Sequence, residues 1–320
     1  MHIVIPDDYQ NVIRSLDCFH LLAGHAVTIF HDACTDIGIL AQRFRDADCL
    51  VLTRERTRVD EGLLRLLPQL KLISQTGKIS QHLDLAACTA HGVAVAEGRG
   101  SPVAPAELAW SLMLNARRQL PQAIEAMKSG RWQVNIGQAL KGQVIGIWGY
   151  GKIGQRVANY ARAFEMQVLV WGSESSRARA VADGFQAAGD RTAFFETADV
   201  LSLHLRLTDS TRHIVRLVDL ASMKPDALLV NISRAELIEP GALLYALQQG
   251  RPGFAAVDVY EQEPLTDPSD PLLQLPNVLC TPHLGYVERD TYELYFSQAF
   301  ENINAFAVGR PQNIANPDVL

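Results

Sequence analysis

The stretch that decides the fold is Val144-Ile145-Gly146-Ile147-Trp148-Gly149-Tyr150-Gly151-Lys152-Ile153-Gly154. An apolar run typical of a buried strand leads into a glycine turn, and the apolar spacing that follows predicts a helix over 152–164. The glycines have the spacing of a dinucleotide-binding turn, in which they permit a tight bend, close approach of a pyrophosphate and close helix–strand packing. We therefore predict that the cofactor is bound by Gly149, Tyr150, Gly151, Lys152, Ile153 and Gly154. The alternative is a plain strand–helix turn of an unrelated α/β domain.

Length and composition indicate a globular protein of two domains. The chain has 320 residues, of which 48% are hydrophobic and 20% are charged, as in a soluble enzyme. A formal net charge of −6 argues against nucleic acid and anionic membranes as partners, because both require clustered lysine and arginine. The five cysteines include no C-x-x-C pair, so they predict neither a disulfide framework nor a zinc site.

The N-terminus and the length of the apolar runs indicate the cellular compartment of the protein. Residues 1–8 predict a short strand and a turn, without the basic segment and long apolar run of a signal peptide. No uncharged apolar run approaches the ~20 residues that a membrane span needs. We therefore expect a cytoplasmic protein with no membrane partner.

Strand and helix patterns alternate along the whole chain. In the first hundred residues, strands are predicted over His2–Ile5, Ala26–Phe30, Cys49–Thr53, Leu70–Ser74 and Val93–Ala96, with helices between them. A hinge is predicted at Gly98–Pro102, followed by a helix over Pro105–Gln119. Beyond the glycine turn, strands recur at Gln167–Trp171, Val200–Leu205, Ala227–Asn231, Phe254–Val259 and Val278–Cys280. This alternation predicts two parallel sheets covered by helices, and a last helix over 290–308 could return to the first domain.

Three later stretches each deliver a polar residue at or beyond the end of a predicted strand. They are Leu228-Leu229-Val230-Asn231-Ile232-Ser233-Arg234, Ala256-Val257-Asp258-Val259-Tyr260-Glu261-Gln262-Glu263-Pro264 and Asn277-Val278-Leu279-Cys280-Thr281-Pro282-His283-Leu284-Gly285. In open α/β sheets ligands bind at the carboxyl ends of the strands. The sequence therefore predicts a functional site at this edge.

With the glycine turn, these stretches resemble the D-isomer-specific 2-hydroxyacid dehydrogenase family, and the resemblance covers essentially the whole chain. It implies an α/β fold of two Rossmann-like, doubly wound parallel-sheet domains, one flavodoxin-like and one NAD-binding, with a cleft between them. Residues 1–100 and 286–320 would form the substrate-binding domain, and residues 101–285 the dinucleotide-binding domain. The resemblance also implies a homodimer joined through the cofactor domain. Region 105–132, with Trp110, Leu112, Met113 and Trp132, is the candidate interface, and burial of these residues inside the monomer is the alternative.

The resemblance assigns the catalytic roles to Arg234, Glu263 and His283. Reduction of a 2-keto acid adds a proton to the carbonyl oxygen, and histidine titrates in the right range to supply it. Glu263 matches the carboxylate that keeps this imidazole charged. Arg234 matches the planar fork that holds the substrate carboxylate and polarises the ketone. Taken singly, each of the three also has a purely structural interpretation.

Cofactor choice stays open between NAD and NADP. An acidic residue usually follows the second strand in NAD-selective domains, but Gly172 occupies that position. Glu174 lies slightly further on as a substitute, whereas a 2′-phosphate would be bound by Ser173, Ser176 and Arg177; for Arg177 the alternative is a solvated helix residue. His204 and Asp258 are also predicted to lie beside the cofactor, although Asp258 has the alternative of a strand-end turn.

The predicted substrate loop departs from the usual glycine-rich turn. It reads Gln75-Thr76-Gly77-Lys78-Ile79-Ser80-Gln81, and with Arg99 it gives Thr76, Gly77, Lys78 and Arg99 as substrate-binding residues. We hypothesise that Lys78, together with Arg99, contacts a distal anionic or polar group; two exposed surface cations are the alternative. Arg206 replaces a common proline, with no predicted effect.

The leading interpretation is an NAD(P)-dependent D-2-hydroxyacid dehydrogenase acting on a small 2-keto acid such as glyoxylate or hydroxypyruvate, or on 3-phosphoglycerate. A phosphite-type dehydrogenase is an alternative, whereas Glu263 disfavours formate, because formate dehydrogenases of this superfamily pair the histidine with glutamine. A dinucleotide-sensing, corepressor-like binding protein would keep the same three residues, so only measured turnover separates it from the enzyme.

Overall fold

The computed structural model describes residues 1–320 and divides into two compact units. Unit 1 comprises Met1–Ser101 and Glu288–Leu320, and unit 2 comprises Pro102–Val287. The predicted domain boundaries lie within two residues of these divisions. No helix is both long and apolar enough to cross a membrane.

Unit 1 is a five-stranded parallel sheet. Its strands are β1 (His2–Ile5), β2 (Ala26–Ile29), β3 (Cys49–Leu52), β4 (Leu72–Gln75) and β5 (Ala94–Ala96), in the order β2-β1-β3-β4-β5. The last three strands are buried along their whole length, as continuous apolar runs in a parallel sheet must be. The strand order is that of flavodoxin-like folds, which confirms the predicted fold class for this half.

The three α-helices in the first hundred residues of unit 1 begin at aspartates. They are α1 (Ile37–Phe44), α2 (Glu61–Leu64) and α3 (Leu85–Ala90). Their caps, Asp36, Asp60 and Asp84, each accept a hydrogen bond from a backbone N–H three residues further on, which satisfies a donor that the first turn leaves unpaired. Two 3₁₀ segments, Ile13–Ser15 and Asp17–Leu22, were not predicted.

The end of the chain completes unit 1. Helix α11 (Arg289–Ala307) packs against Asp17–Leu22 and β4. The Ser74 hydroxyl on β4 donates a hydrogen bond to the backbone oxygen of Ala299 at 2.8 Å. Asn316 closes the unit, because its Oδ1 accepts from the backbone N–H of Val95 at 2.8 Å and its Nδ2 donates to the carbonyl of Val93 at 2.9 Å. The last helix therefore returns to the first domain, as the sequence suggested.

Unit 2 contains a seven-stranded parallel sheet. Its strands are β6 (Val144–Trp148), β7 (Gln167–Trp171), β8 (Gln186–Ala187), β9 (Val200–Leu203), β10 (Leu228–Asn231), β11 (Phe254–Val257) and β12 (Val278–Cys280). Its helices are α4 (Val103–Arg118), α5 (Leu120–Lys128), α6 (Lys152–Ala163), α7 (Glu174–Ala182), α8 (Arg191–Thr197), α9 (Leu217–Ser222) and α10 (Ala242–Gln248). The order β12-β11-β10-β9-β6-β7-β8 is the dinucleotide-binding order with one added strand, which confirms the predicted fold class.

The region predicted to form a dimer interface divides into a buried and an exposed part. Trp110, Leu112 and Met113 belong to the core of unit 2, so the prediction that they lie at an interface is wrong. They face inward because α4 packs against α6 and β10 within the same unit. The segment after α4 instead exposes large apolar side chains, namely Ile124, Met127, Trp132, Val134 and Ile136.

Candidate active site

The glycine turn lies where β6 passes into α6. Gly149 has a φ of 103°, and a Cβ there would come within 2.5 Å of the backbone oxygen of His204. A Cβ on Gly154 would overlap the backbone oxygen of Gly149. Gly151 differs, because no atom lies within 4 Å of the position of its absent Cβ. Two glycines are thus required by the protein's own packing, and the third leaves open space.

That open space fits a pyrophosphate. Gly151 is the N-cap of α6, and no side chain caps this helix, so its first N–H groups are available to an anion. Lys152 is exposed in the first turn and adds a positive charge. The residues present therefore fit the phosphates of a dinucleotide.

Tyr150 contributes to this turn differently from its neighbours. Its ring is buried in the core of unit 2, and its hydroxyl donates to Asp183 Oδ2 at 2.8 Å. The backbone oxygen of Tyr150 accepts hydrogen bonds from Arg179 Nη2 and Gln155 Nε2, each at 3.3 Å. Tyr150 therefore anchors the turn, and only its backbone faces the predicted phosphate site.

His204 follows β9 beside the glycine turn. Its Nε2 lies 2.9 Å from the Ser202 hydroxyl, and its Nδ1 is buried without a hydrogen-bond partner. Burial lowers the pKa of His204 to about 4, so the ring is neutral at pH 7. A neutral ring without a carboxylate partner is a poor general acid, which agrees with a structural role near the cofactor.

Arg234 lies on a short loop after β10 that is fixed by its neighbours. Asn231 Nδ2 donates to the backbone oxygen of Arg234 at 2.8 Å, and Asn231 Oδ1 accepts from the backbone N–H of Ser233 at 3.0 Å. The Ser233 hydroxyl donates to the carbonyl of Leu203 at 2.8 Å, which ties the loop to the end of β9. The backbone that carries the predicted substrate-binding guanidinium is therefore rigidly placed.

His283 and Glu263 form a direct pair. His283 Nδ1 lies 2.6 Å from Glu263 Oε2, and the other carboxylate oxygen accepts the backbone N–H of Tyr260 at 2.9 Å. Because an ionised carboxylate only accepts hydrogen bonds, Nδ1 carries a hydrogen and Nε2 is the nitrogen left for chemistry. The sequence motifs, 20 residues apart, are thus brought into hydrogen-bonding contact by the adjacent strands β11 and β12.

Asp258 holds the loop that carries His283. Its carboxylate accepts the Thr281 hydroxyl at 2.6 Å and the backbone N–H groups of Leu284 and Gly285 at 2.7 and 2.9 Å. Burial raises the pKa of Asp258, while these hydrogen bonds oppose the rise. Both carboxylate oxygens accept hydrogen bonds inside the protein, as the strand-end alternative requires, and the position of Asp258 beside the cofactor stays a prediction.

The predicted cofactor-selecting residues lie at the start of α7. Ser173 caps this helix by accepting the backbone N–H of Ser176 at 3.3 Å. The guanidinium of Arg177 stacks on the Trp171 ring, 4.9 Å from its centroid. All of these residues follow β7 at the same edge of the sheet as the glycine turn, since every strand of unit 2 is parallel.

The predicted substrate loop follows β4 in unit 1. The Thr76 hydroxyl is engaged by the protein itself, because it donates to the carbonyl of Leu52 at 2.9 Å and accepts the backbone N–H of Arg54 at 2.8 Å. Lys78 forms a short ion pair with Glu97. The backbone N–H of Arg99 donates to Gln298 at 2.7 Å, and its side chain is exposed. Lys78 and Arg99 were predicted to contact a distal group of the substrate, and the charge of Lys78 is already balanced by Glu97.

Sequence reasoning missed Arg54, which lies against Gly77. Arg54 has a left-handed φ of 53°, and its backbone oxygen accepts Gln75 Nε2 at 2.8 Å. A Cβ on Gly77 would overlap Nη1 of Arg54, so this guanidinium lies directly against the glycine. The available signal was a cation two residues after β3, at the edge where β4 delivers the substrate loop.

Comparisons with known proteins agree with this geometry. Residues 110–285 match the family described as D-isomer specific 2-hydroxyacid dehydrogenase, NAD binding domain. The chain is 34% identical to the glyoxylate reductase of Thermococcus litoralis over 298 residues, which is 88% of each protein. It is 37% identical to the D-3-phosphoglycerate dehydrogenase of Methanocaldococcus jannaschii over 77% of this chain and 47% of that protein.

Solved structures resemble the whole chain. An oxidoreductase from Ralstonia solanacearum is 52% identical, with a TM-score of 0.98 over 100% of this chain and 98% of that one. A phosphoglycerate oxidoreductase from Vibrio cholerae o395 is 56% identical, with a TM-score of 0.94 over 97% of this chain and 99% of that one. The chain therefore belongs to the D-isomer-specific 2-hydroxyacid dehydrogenase family, and it is an enzyme that uses NAD or NADP for hydride transfer on 2-keto or 2-hydroxy acids.

Proposed function

We propose that this protein reduces small 2-keto acids to D-2-hydroxy acids, with Arg234, Glu263 and His283 as its catalytic residues. The observation that carries the proposal is the 2.6 Å contact between His283 Nδ1 and Glu263 Oε2. It gives a histidine an oriented ring and a counter-charge, which a group that donates a proton to a developing alkoxide requires.

The chemistry follows from the atoms that remain available. When held at the glycine turn, a reduced nicotinamide dinucleotide would supply the hydride that C2 of the keto acid accepts. His283 donates the Nε2 proton to the carbonyl oxygen, while Glu263 stabilises the ring before transfer. Arg234 binds the substrate carboxylate through its planar fork and polarises the ketone. In the reverse direction the neutral ring accepts the hydroxyl proton.

The substrate range is proposed from the names of relatives and from the charged residues of unit 1. Glyoxylate and hydroxypyruvate are proposed because relatives carry the names glyoxylate reductase and hydroxypyruvate reductase, and phosphohydroxypyruvate because others are named phosphoglycerate dehydrogenases. Thr76, Gly77, Lys78 and Arg99 stay predictions for substrate binding. We infer that Arg54, against Gly77, is a further ligand for a distal anionic group beside Lys78; Arg54 pairs with Glu55 at 3.7 Å, whereas Glu97 holds Lys78 in a closer pair.

A matched pair of variants tests this assignment. Arg54→Leu is expected to lower kcat/KM for keto acids with a second anionic group by roughly 10- to 100-fold, the loss of one charged hydrogen bond, and to affect glyoxylate less. Lys78→Ala is expected to change kcat/KM by less than about 3-fold, because exposed ion pairs are weak. The measurement is steady-state kinetics with phosphohydroxypyruvate, 2-oxoglutarate and glyoxylate. A larger effect from Lys78→Ala than from Arg54→Leu would reverse the assignment.

The experiment that tests the proposed reaction is a cofactor-oxidation panel. NADH and NADPH are each combined with glyoxylate, hydroxypyruvate, pyruvate, phenylpyruvate, 2-oxoglutarate and phosphohydroxypyruvate. Turnover of at least one keto acid, with a D-configured product on chiral chromatography, is expected. No turnover with any of them would refute the proposal in favour of a sensing protein, and NAD reduction by phosphite alone would favour the phosphite-type alternative.

We also propose that the protein is a homodimer joined through unit 2. The apolar side chains Ile124, Met127, Trp132, Val134 and Ile136 follow one another along residues 124–136, and Ile136 is 92% exposed. Exposed apolar patches of this kind mark interaction sites. Sedimentation is expected to give a dimer for the natural chain and a shift towards monomer for Ile136→Asp. A monomer at micromolar concentration of the natural chain would contradict the proposal.

A further inference from the structure

The end of β7 is joined to the glycine turn within unit 2. The backbone N–H of Gly149 donates to the carbonyl of Trp171 at 3.1 Å. A Cβ on Gly172 would lie 3.9 Å from the backbone nitrogen of Gly149. The residues that follow Trp171 therefore lie beside the predicted pyrophosphate site, where the adenosine ribose of a dinucleotide is selected.

The position that usually carries an acid cannot easily do so here. Gly172 has a φ of 149°, which disfavours any side chain. A Cβ there would make only ordinary contact with the Cβ of Ser176, at 3.5 Å, so it is the φ that opposes a side chain. The backbone conformation, and not only the residue type, thus disfavours the acidic acceptor that binds the ribose hydroxyls of NAD.

Serine hydroxyls and a guanidinium, which can donate hydrogen bonds, follow Gly172. The hydroxyls of Ser175 and Ser176 each lie 3.1 Å from the Ser173 hydroxyl. Arg177 lies flat on Trp171 and forms no ion pair, and its Nε is buried without a partner. A fixed guanidinium with an unpaired charge is the group that binds a phosphate dianion most strongly.

The nearby carboxylates do not cancel this charge. Asp183 accepts the Tyr150 hydroxyl, and Glu174 is exposed at the first position of α7 without an ion-pair partner. Arg179 adds a second guanidinium, which donates to the backbone oxygen of Tyr150 at 3.3 Å. Arg179 and Asp183 both contact Tyr150 near the other end of α7, so Arg177 and Glu174 are the charges at its start, and they form no ion pair with each other.

We propose that Ser173, Ser176 and Arg177 bind the 2′-phosphate of NADP(H), so that the enzyme selects NADP(H) over NAD(H). The inference deepens the proposed reductase function by naming its cofactor. Trp171 holds the guanidinium in place, and the serine hydroxyls donate to the remaining phosphate oxygens.

The test uses two fragments that differ by one phosphate. Calorimetry on the whole protein measures binding of adenosine 2′,5′-bisphosphate and adenosine 5′-monophosphate. The natural chain is expected to bind the bisphosphate at least about 10-fold more tightly. Arg177→Ala is expected to weaken bisphosphate binding roughly 10- to 100-fold and monophosphate binding less than about 2-fold.

Two further variants make the result specific. Arg118→Ala removes an exposed arginine of α4 and is expected to leave both affinities unchanged, which controls for loss of net charge. Glu174→Gln is expected to leave monophosphate binding unchanged and bisphosphate binding equal or tighter. Thermal unfolding of each variant excludes misfolding as the cause.

Two outcomes would overturn the proposal. One is equal binding of the two fragments by the natural chain. The other is a loss of monophosphate or NAD binding in Glu174→Gln, which would make Glu174 the ribose ligand of an NAD-selective site. Because fragment binding requires no keto acid, these outcomes are independent of the turnover panel.

Discussion

Two histidines follow strands of the same sheet in unit 2, and their surroundings differ. His283, after β12, contacts the carboxylate of Glu263 at 2.6 Å. His204, after β9, contacts only the Ser202 hydroxyl, and its second ring nitrogen is buried without a partner. The same side chain is therefore equipped for proton transfer at one strand end and held neutral at another. The burial and the partner that the fold supplies to each ring, not the residue type, decide which.

The variant with the largest expected effect removes the imidazole ring of His283. His283→Gln is expected to lower kcat about 10³-fold, because it abolishes proton donation while keeping a polar side chain of similar length. Glu263→Gln, which removes the counter-charge and the hydrogen-bond acceptor beside His283 Nδ1, is expected to lower kcat by about 10- to 100-fold. Steady-state kinetics gives these values, and fluorescence titration should show dinucleotide affinity within about 3-fold of the natural chain's. Near-normal turnover by His283→Gln would remove its catalytic role.

A smaller effect is expected from His204, which makes the free energy of unfolding depend on pH. Its pKa is lowered by burial to about 4, whereas the unfolded chain has an ordinary value near 6.5. The unfolded state therefore takes up a proton first as pH falls, so stability is full above about pH 6.5 and is lost between pH 6.5 and 4.

The measurement is urea unfolding at pH 7 and pH 5. Between these values His204 is expected to remove at most about 2 kcal/mol of the free energy of unfolding. His204→Asn cannot titrate, so its stability should fall less over the same interval. An identical pH dependence in the variant would show that this ring does not carry the effect.

The part of the site predicted from sequence has a common physical origin. Gly149, Arg234 and His283 each lie just after a strand of unit 2, and the parallel sheet brings all such ends to one edge. Local pattern was sufficient because the chemistry follows the strand directly. Trp110, Leu112 and Met113 were wrongly predicted to lie at an interface. An apolar helix face has the same sequence pattern whether it packs inside a unit or against a partner.

The sequence by itself determined the two parallel sheets, the glycine turn and the order of the catalytic motifs, because hydrophobic periodicity and turn chemistry are local. Tertiary structure decided which charges are balanced and which groups lie together. It paired Lys78 with Glu97, placed Arg54 against Gly77, and left Arg177 without an ion pair. It also turned the Asp258 carboxylate inward to anchor the His283 loop. Such pairings depend on residues distant in sequence, and only the packed fold brings them within hydrogen-bonding distance.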